Sequence, residues 1–352
     1  MSSDTLIFSE SPLVPNIAAE VVVENDCSYL YLYEKNFEEN SLNTILTCWI
    51  KNHVLVPDSY SPKDDMQDGL QPKAYTKNCK YVDDLVLLQE DDLEIVWGEE
   101  GYTVALYDRG ELICAIPYWA TQDKPGYSKY SGNDNLSDFP FPLNAPDSNA
   151  MYERMEKAKT FWARDFQKVW ADYNDGYMGE LEKKFGKHIK YFAIDGGNFP
   201  PKGLAVFEKD AYNYAFTIGL GMFVQPMAEI YNAKQSEKIE LAFCYKSALA
   251  FDGMQALKNI SSIAGIPWVY KTFLDHYHTV DFVIKAEYNA AVLVSEQKAC
   301  LANVDFLKQQ SVNLLWIVPV PDSICKKVRA ETPDYSEIEV MIKSKKLRLV
   351  EV

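Results

Sequence analysis

Apolar and polar positions along the first third of the chain follow a period of two. From Ala18 to Tyr33, AAEVVVENDCSYLYLY reads as two strands around an Asn-Asp turn, with Tyr29, Tyr31 and Tyr33 on one strand face. TILTCWIKN, LEIVW, YTVALY and ELICAIP extend the pattern, the last two separated by the tight-turn signal DRG, so an antiparallel sheet is expected to dominate residues 17–119. Thirty residues rich in Gly, Pro, Ser, Asn and Asp follow, ATQDKPGYSKYSGNDNLSDFPFPLNAPDSN, too long for a plain connector. The period then changes. Met151, Met155, Ala158, Trp162, Phe166, Val169 and Tyr173 recur at steps of three and four and predict one helix over 151–173, with Asp147 or Ser148 as its cap. A shorter helical stretch, YMGELEKKFG, ends at Gly186.

Beyond Gly186 the expected order is strands IKYFAI, GLAVFE, YNYAFTIGLGM and KIELAFCYKS, the helix GMQALKNISSIAG, the segment FLDHYHTVDF, then strands NAAVLVS and VNLLWIVPV. Helical stretches around 322–330 and 334–343 close the chain. Strands and helices are segregated rather than alternating, which makes the fold class α+β. The 352 residues favour more than one domain: an acidic β-rich N-terminal domain over 1–150, a helical connector over 151–188, and an α+β domain over 189–352.

Charge sharpens this division. The net charge is −16, yet residues 1–150 hold 26 acidic against 9 basic side chains while residues 151–352 hold 25 against 26. Blocks such as KDDMQD, QEDDLE and GEE repel nucleic-acid phosphates and attract a basic partner; they equally suit solvated loops kept acidic for solubility. The first residues, MSSDTLIFSESPLVPN, lack a basic stretch followed by an apolar one, and eighteen uncharged apolar residues never run together, so a cytoplasmic protein without membrane or nucleic-acid partners is expected. Seven widely spaced cysteines without a C-x-x-C pair read as reduced thiols.

Four stretches in fixed order carry a resemblance. YNYAFTIGLGM resembles an aromatic strand ending in a Gly-Leu-Ser type turn, SEKIELAFCYK a Glu-Leu-Thr-Phe type strand, GMQALKNISSIA the helix after it, and HYHTVDF a Gly-His-Thr type segment; VNLLWIVPVPDSICKKV is similar to the strand and helix that end the domain. Together they resemble the suppressor-of-fused domain, in its bacterial form, over roughly residues 189–330. Gly221 stands where that family often has Ser, Tyr214 lies near a position often held by His, and NAKQSEK replaces a Gly-rich approach to the Glu-Leu strand. The resemblance implies a mixed sheet with flanking helices and a binding role: animal members clamp a peptide of a transcription regulator as an added strand, and bacterial members are proposed as immunity proteins against a partner toxin. A protein partner is therefore expected, with a basic toxin as the favoured version and a regulatory or structural subunit unrelated to toxins as an alternative.

Candidate chemistry is sparse. His276 and His278 lie about 200° apart on a helix but point one way on a strand, where they and Asp281 would form the alternative, metal-dependent hydrolase-like site; a helix-to-strand junction held by its own hydrogen bonds is the competing reading. TIGLGMF lacks the third glycine of a dinucleotide fingerprint, and no G-x-S-x-G, H-E-x-x-H or Walker pattern occurs. No catalytic residue and no cofactor is implied. Aromatic residues are the candidate partner contacts: Tyr127, Tyr130, Phe139 and Phe141 in the long loop, and Tyr212, Tyr214 and Trp268, with His278, in the stretch of resemblance. Phe139 and Phe141, each followed by Pro, serve equally to pin the loop to the body.

Overall fold

Asn25 and Asp26 both take positive φ (50° and 60°), the geometry a two-residue hairpin turn requires, and they join β2 (Ile17–Glu24) to β3 (Cys27–Asn36) as the sequence predicts. Arg109–Gly110 and Asp210–Ala211 close two further hairpins in the same way. The computed structural model describes residues 4–132, 135–197, 199–231, 233–247, 253–285 and 288–344. Contacts divide the chain into two compact units, residues 1–164 and 165–352.

In the first unit, β1 (Asp4–Glu10), β2, β3 and β4 (Ser41–Asn52) form an antiparallel sheet in that order. β1 was not expected from the sequence, because DTLIFSE packs only partly and shows no clean alternation. After the short helix α1 (Pro62–Gln67) comes a second sheet of β5 (Leu93–Trp97), β6 (Val104–Asp108) and β7 (Glu111–Ile116). The long loop completes that sheet with two-residue strands, β8 (Tyr127–Ser128) and β9 (Phe141–Pro142). The helix expected over 151–173 is two helices, α2 (Ala150–Trp162) and α3 (Phe166–Phe185). Asp165 starts the second by accepting the Gln167 amide at 2.9 Å, and a stripe of apolar residues carries no mark of such a break. The cap of α2 is Asn149 rather than Asp147 or Ser148: its Oδ1 accepts the Met151 amide at 2.9 Å. Met151, Met155 and Ala158 bury that helix's apolar face against Val96, Ala105, Leu112 and Leu143.

The second unit holds α3 and a seven-stranded mixed sheet. Its strands are β10 (Lys190–Ala193), β11 (Gly203–Lys209), β12 (Tyr212–Ile218), β13 (Lys238–Lys246), β14 (Thr279–Lys285), β15 (Tyr288–Ser295) and β16 (Val312–Val320). Their spatial order is β10-β11-β12-β13-β16-β15-β14, antiparallel except for the β13–β16 pair. Parallel neighbours require a crossover, and the chain between them runs through α4 (Gly253–Val269), the outer hairpin β14–β15, α5 (Glu296–Ala299) and α6 (Asp305–Gln309). After β16 come α7 (Asp322–Val328) and α8 (Ser336–Lys343). β16 is buried over its whole length, as a central strand covered on both faces must be. The fold is thus α+β. No described helix is long and apolar enough to cross a membrane.

Candidate functional site

The motif strands β12 and β13 meet at a buried carboxylate. Glu240 is fully buried, and no ion pair reaches it among the described residues. Its Oε1 accepts hydrogen bonds from the Gly219 amide (2.7 Å), the Gly221 amide (3.1 Å) and the Tyr173 hydroxyl (2.9 Å), while Oε2 accepts from the Thr217 hydroxyl (2.6 Å). Burial pushes the carboxyl up to about 7; the four donors counter this only in part. Gly219 has φ 109°, and a Cβ there would lie 2.4 Å from the Trp170 ring. A Cβ on Gly221 would lie 2.3 Å from the Tyr173 hydroxyl and 2.7 Å from Val312, so a serine here would force both to move. The two glycines serve a close-packed turn in which backbone amides hold a side chain. That arrangement organises the sheet and leaves the carboxylate no access to a substrate.

The histidine segment joins α4 to β14. Gln225 fastens it from one side, donating to the Leu274 carbonyl (2.9 Å) and accepting the Leu274 amide (2.8 Å). Asp275 Oδ1 receives the Ser236 hydroxyl and the His276 amide, each at 2.6 Å. The two imidazoles do different jobs: His276 Nδ1 accepts the Ser295 amide (3.2 Å), and His278 Nδ1 accepts the Asp275 amide (3.2 Å). Burial lowers the His276 pKa from its ordinary value. Tyr277 sits between them at φ 68°, an unfavourable conformation for a tyrosine, fixed by stacking against His276 (3.7 Å) and Tyr335 (4.1 Å). Asp281 projects into solvent, 3.8 Å from Arg329. Among the described residues no three His, Cys, Asp or Glu side chains are grouped to hold a metal ion.

Beside this junction lies an open groove of about 770 Å³, with Tyr270, Phe273, Tyr277, His278, Arg329 and Tyr335 in its walls. β14, the last strand of the sheet, supplies Thr279 through Asp281 to the same groove. Tyr270 is 73% exposed and the adjacent Val269 69%, unusual values for large apolar side chains. Asn259 of α4 donates to the Val283 carbonyl at 2.7 Å, which occupies one position farther along the strand.

The sequence-derived aromatic candidates do not converge on one place. Tyr130 is buried, its hydroxyl 3.1 Å from Asp84 and its ring under Lys51. Phe139 stacks on Trp49 (5.1 Å), and Tyr127 and Phe141 pack with Trp119. In the second unit Tyr214 is buried against Phe185 (4.7 Å), half-buried Tyr212 lies beside it (6.5 Å), and Trp268 is buried near Phe199 (6.3 Å). Of these candidates only His278 lines the groove, together with Asp281 of the alternative metal set. Sequence reasoning missed Tyr270, Phe273, Tyr277 and Tyr335. Their one available signal is an aromatic density around the histidines that no helical or strand period absorbs.

No curated protein matches the chain. Residues 191–323, from β10 to the start of α7, match the family model of Suppressor of fused protein (SUFU).

Proposed function

We propose that this protein is a non-catalytic binder that holds an extended segment of a protein partner along β14, with apolar side chains of that segment in the adjoining aromatic groove. The suppressor-of-fused domain is a protein-interaction domain, which supports a protein as the partner. The observation that carries the reading is the coincidence of a terminal strand with exposed large apolar residues, Val269 and Tyr270, and an open aromatic-lined groove beside it. A sheet edge supplies backbone hydrogen bonds to any extended chain, and neighbouring pockets select its side chains. The finer version of the proposal is an immunity protein that neutralises a basic toxin in the cytoplasm. Its support is the charge distribution: the first unit has 28 acidic against 13 basic residues, the second 23 against 22.

The test is site-specific photo-cross-linking in the protein's own source cells, with the photoreactive residue at position 270 or 281 and, as control, at Lys209 on the β11–β12 hairpin. One protein captured at 270 and 281 but not at 209 is the expected result. Equal capture at all three positions, or none, overturns the groove reading; a captured chain that is not basic overturns the finer version.

A further inference from the structure

The first unit exposes an apolar ridge inside its acidic surface, and we propose that this ridge docks a basic amphipathic segment of the protein partner. The inference rests on the reading of the chain as a protein binder and adds a second contact surface with its own chemistry. Leu55, Tyr81, Val86 and Leu87 are 61%, 59%, 67% and 52% exposed. Leu55, Tyr81, Val82 and Leu85 line one shallow concavity, and Val86 and Leu87 continue from it along the chain. Isolated exposed apolar residues are ordinary; a run of them rimmed by charge marks a surface that another molecule covers.

The ridge is held from below. Leu88 is buried at one end, and at the other the Asp84 carboxylate binds Lys51 Nζ at 2.7 Å and the Tyr130 hydroxyl at 3.1 Å. The side chains between these anchors project outward from a fixed base, so little ordering is needed when a partner arrives. The rim decides which partner. Residues 53–94 hold ten acidic and four basic side chains. Most neighbouring cations are already taken, Lys51 by Asp84, Lys77 by Asp58, Arg109 by Asp92 and Lys129 by Glu111, while Lys80 in the wall of the concavity reaches only the Asn144 side chain, at 3.4 Å, among the described residues. Exposed Asp83, Glu90 and Asp91 form no ion pair among the described residues. A partner with apolar residues on one side and lysines or arginines flanking them satisfies both the ridge and the rim, whereas a second copy of this acidic chain would bring like charges together.

The probe is a synthetic amphipathic peptide of leucine and lysine, titrated into the full-length chain at two salt concentrations. Wild type is expected to bind. The double substitution Val86→Ser, Leu87→Ser should weaken binding at least ~10-fold, since both side chains lose the apolar surface that a partner would bury. Asp83→Asn with Asp91→Asn should weaken it several-fold and flatten the salt dependence. Glu38→Gln with Glu39→Gln, on the hairpin at the far end of β4, removes equal charge and should leave affinity unchanged. Equal affinities for all four proteins would reduce the interaction to diffuse charge attraction and overturn the proposal, as would a wild-type dimer that Val86→Ser, Leu87→Ser dissociates. A photoreactive residue at position 87 separates the two readings. Capture at 281 without capture at 87 sinks the ridge alone, and capture at 87 alone sinks the groove.

Discussion

Among the described residues each unit buries one glutamate, and the two are kept in opposite ways. Glu100, in the turn between β5 and β6, receives the Arg154 guanidinium at 2.8 Å and the Thr103 amide at 3.0 Å. Burial opposes its ionisation, but Arg154 and these donors outweigh that cost and hold the carboxyl below its usual range. Glu240 has neutral donors only, and burial prevails. Hydrogen bonds alone therefore position a buried carboxylate without fixing its charge, whereas a full countercharge fixes both. The first unit is acidic overall yet places an arginine against buried Glu100. The second is nearly neutral and gives its buried glutamate none.

The severest test of this contrast is Glu240→Ala. It strands two amides and two hydroxyls in a buried site, each costing about 1–3 kcal/mol, so a loss of at least about 4 kcal/mol is expected, with faster hydrogen exchange in β12 and β13. Protection unchanged in those strands would show that the donors find other acceptors. Arg154→Ala is the matching experiment in the first unit. It leaves Glu100 buried without its partner at a cost of about 3 kcal/mol, read as lost protection in β5, β6 and α2; a neutral outcome would mean that water reaches the carboxylate.

The pH dependence separates the two acids by sign. Glu240 has a folded pKa raised to about 7, so the folded second unit binds a proton that the unfolded chain has lost, and stability falls as pH rises from about 4.5 through 7, by about 3 kcal/mol in all. Glu100 has a depressed folded pKa; its contribution is present above the unfolded value and is lost as pH falls through the folded one. Denaturant titrations followed by hydrogen exchange resolve the two units, and Glu240→Gln should abolish the neutral-pH slope in the second. Parallel pH profiles in both units would erase the distinction.

Smaller effects are expected at the junction and the groove. His278→Ala removes the acceptor of the Asp275 amide and should cost about 1–2 kcal/mol; an unchanged melting temperature with lost partner capture would make His278 a contact residue instead. Tyr270→Ser touches an exposed side chain and should change stability by less than about 0.5 kcal/mol while reducing capture at position 281.

Much of the fold is legible in the one-dimensional pattern because hairpins and central strands carry local signals. The Asn25–Asp26 and Arg109–Gly110 turns, the alternation in β3 and the apolar run of β16 are written where they act. The break at Asp165 and the edge strand β1 escaped, since a periodic stripe continues through a capped break and an exposed edge needs no strict alternation. The candidate surface was less legible. Among the aromatics singled out in the sequence Trp268 is buried, and Tyr127 and Phe141 are half-buried beside Trp119, while Tyr270 and Leu87 resemble core residues and stand outside. Hydrophobicity states what a side chain gains by burial; it does not state whether this chain provides the cover.

The sequence by itself determined the α+β class, the order of most strands, the charge division and the stretch that matches the suppressor-of-fused family, because each depends on local periodicity, composition or ordered motifs. Tertiary structure alone decided that Glu240 faces four neutral donors, that Glu100 faces Arg154 across 54 positions of chain, and that β14 ends the sheet beside a groove. Charge state, burial and edge position are properties of neighbours, and the neighbours of these residues come from distant parts of the chain.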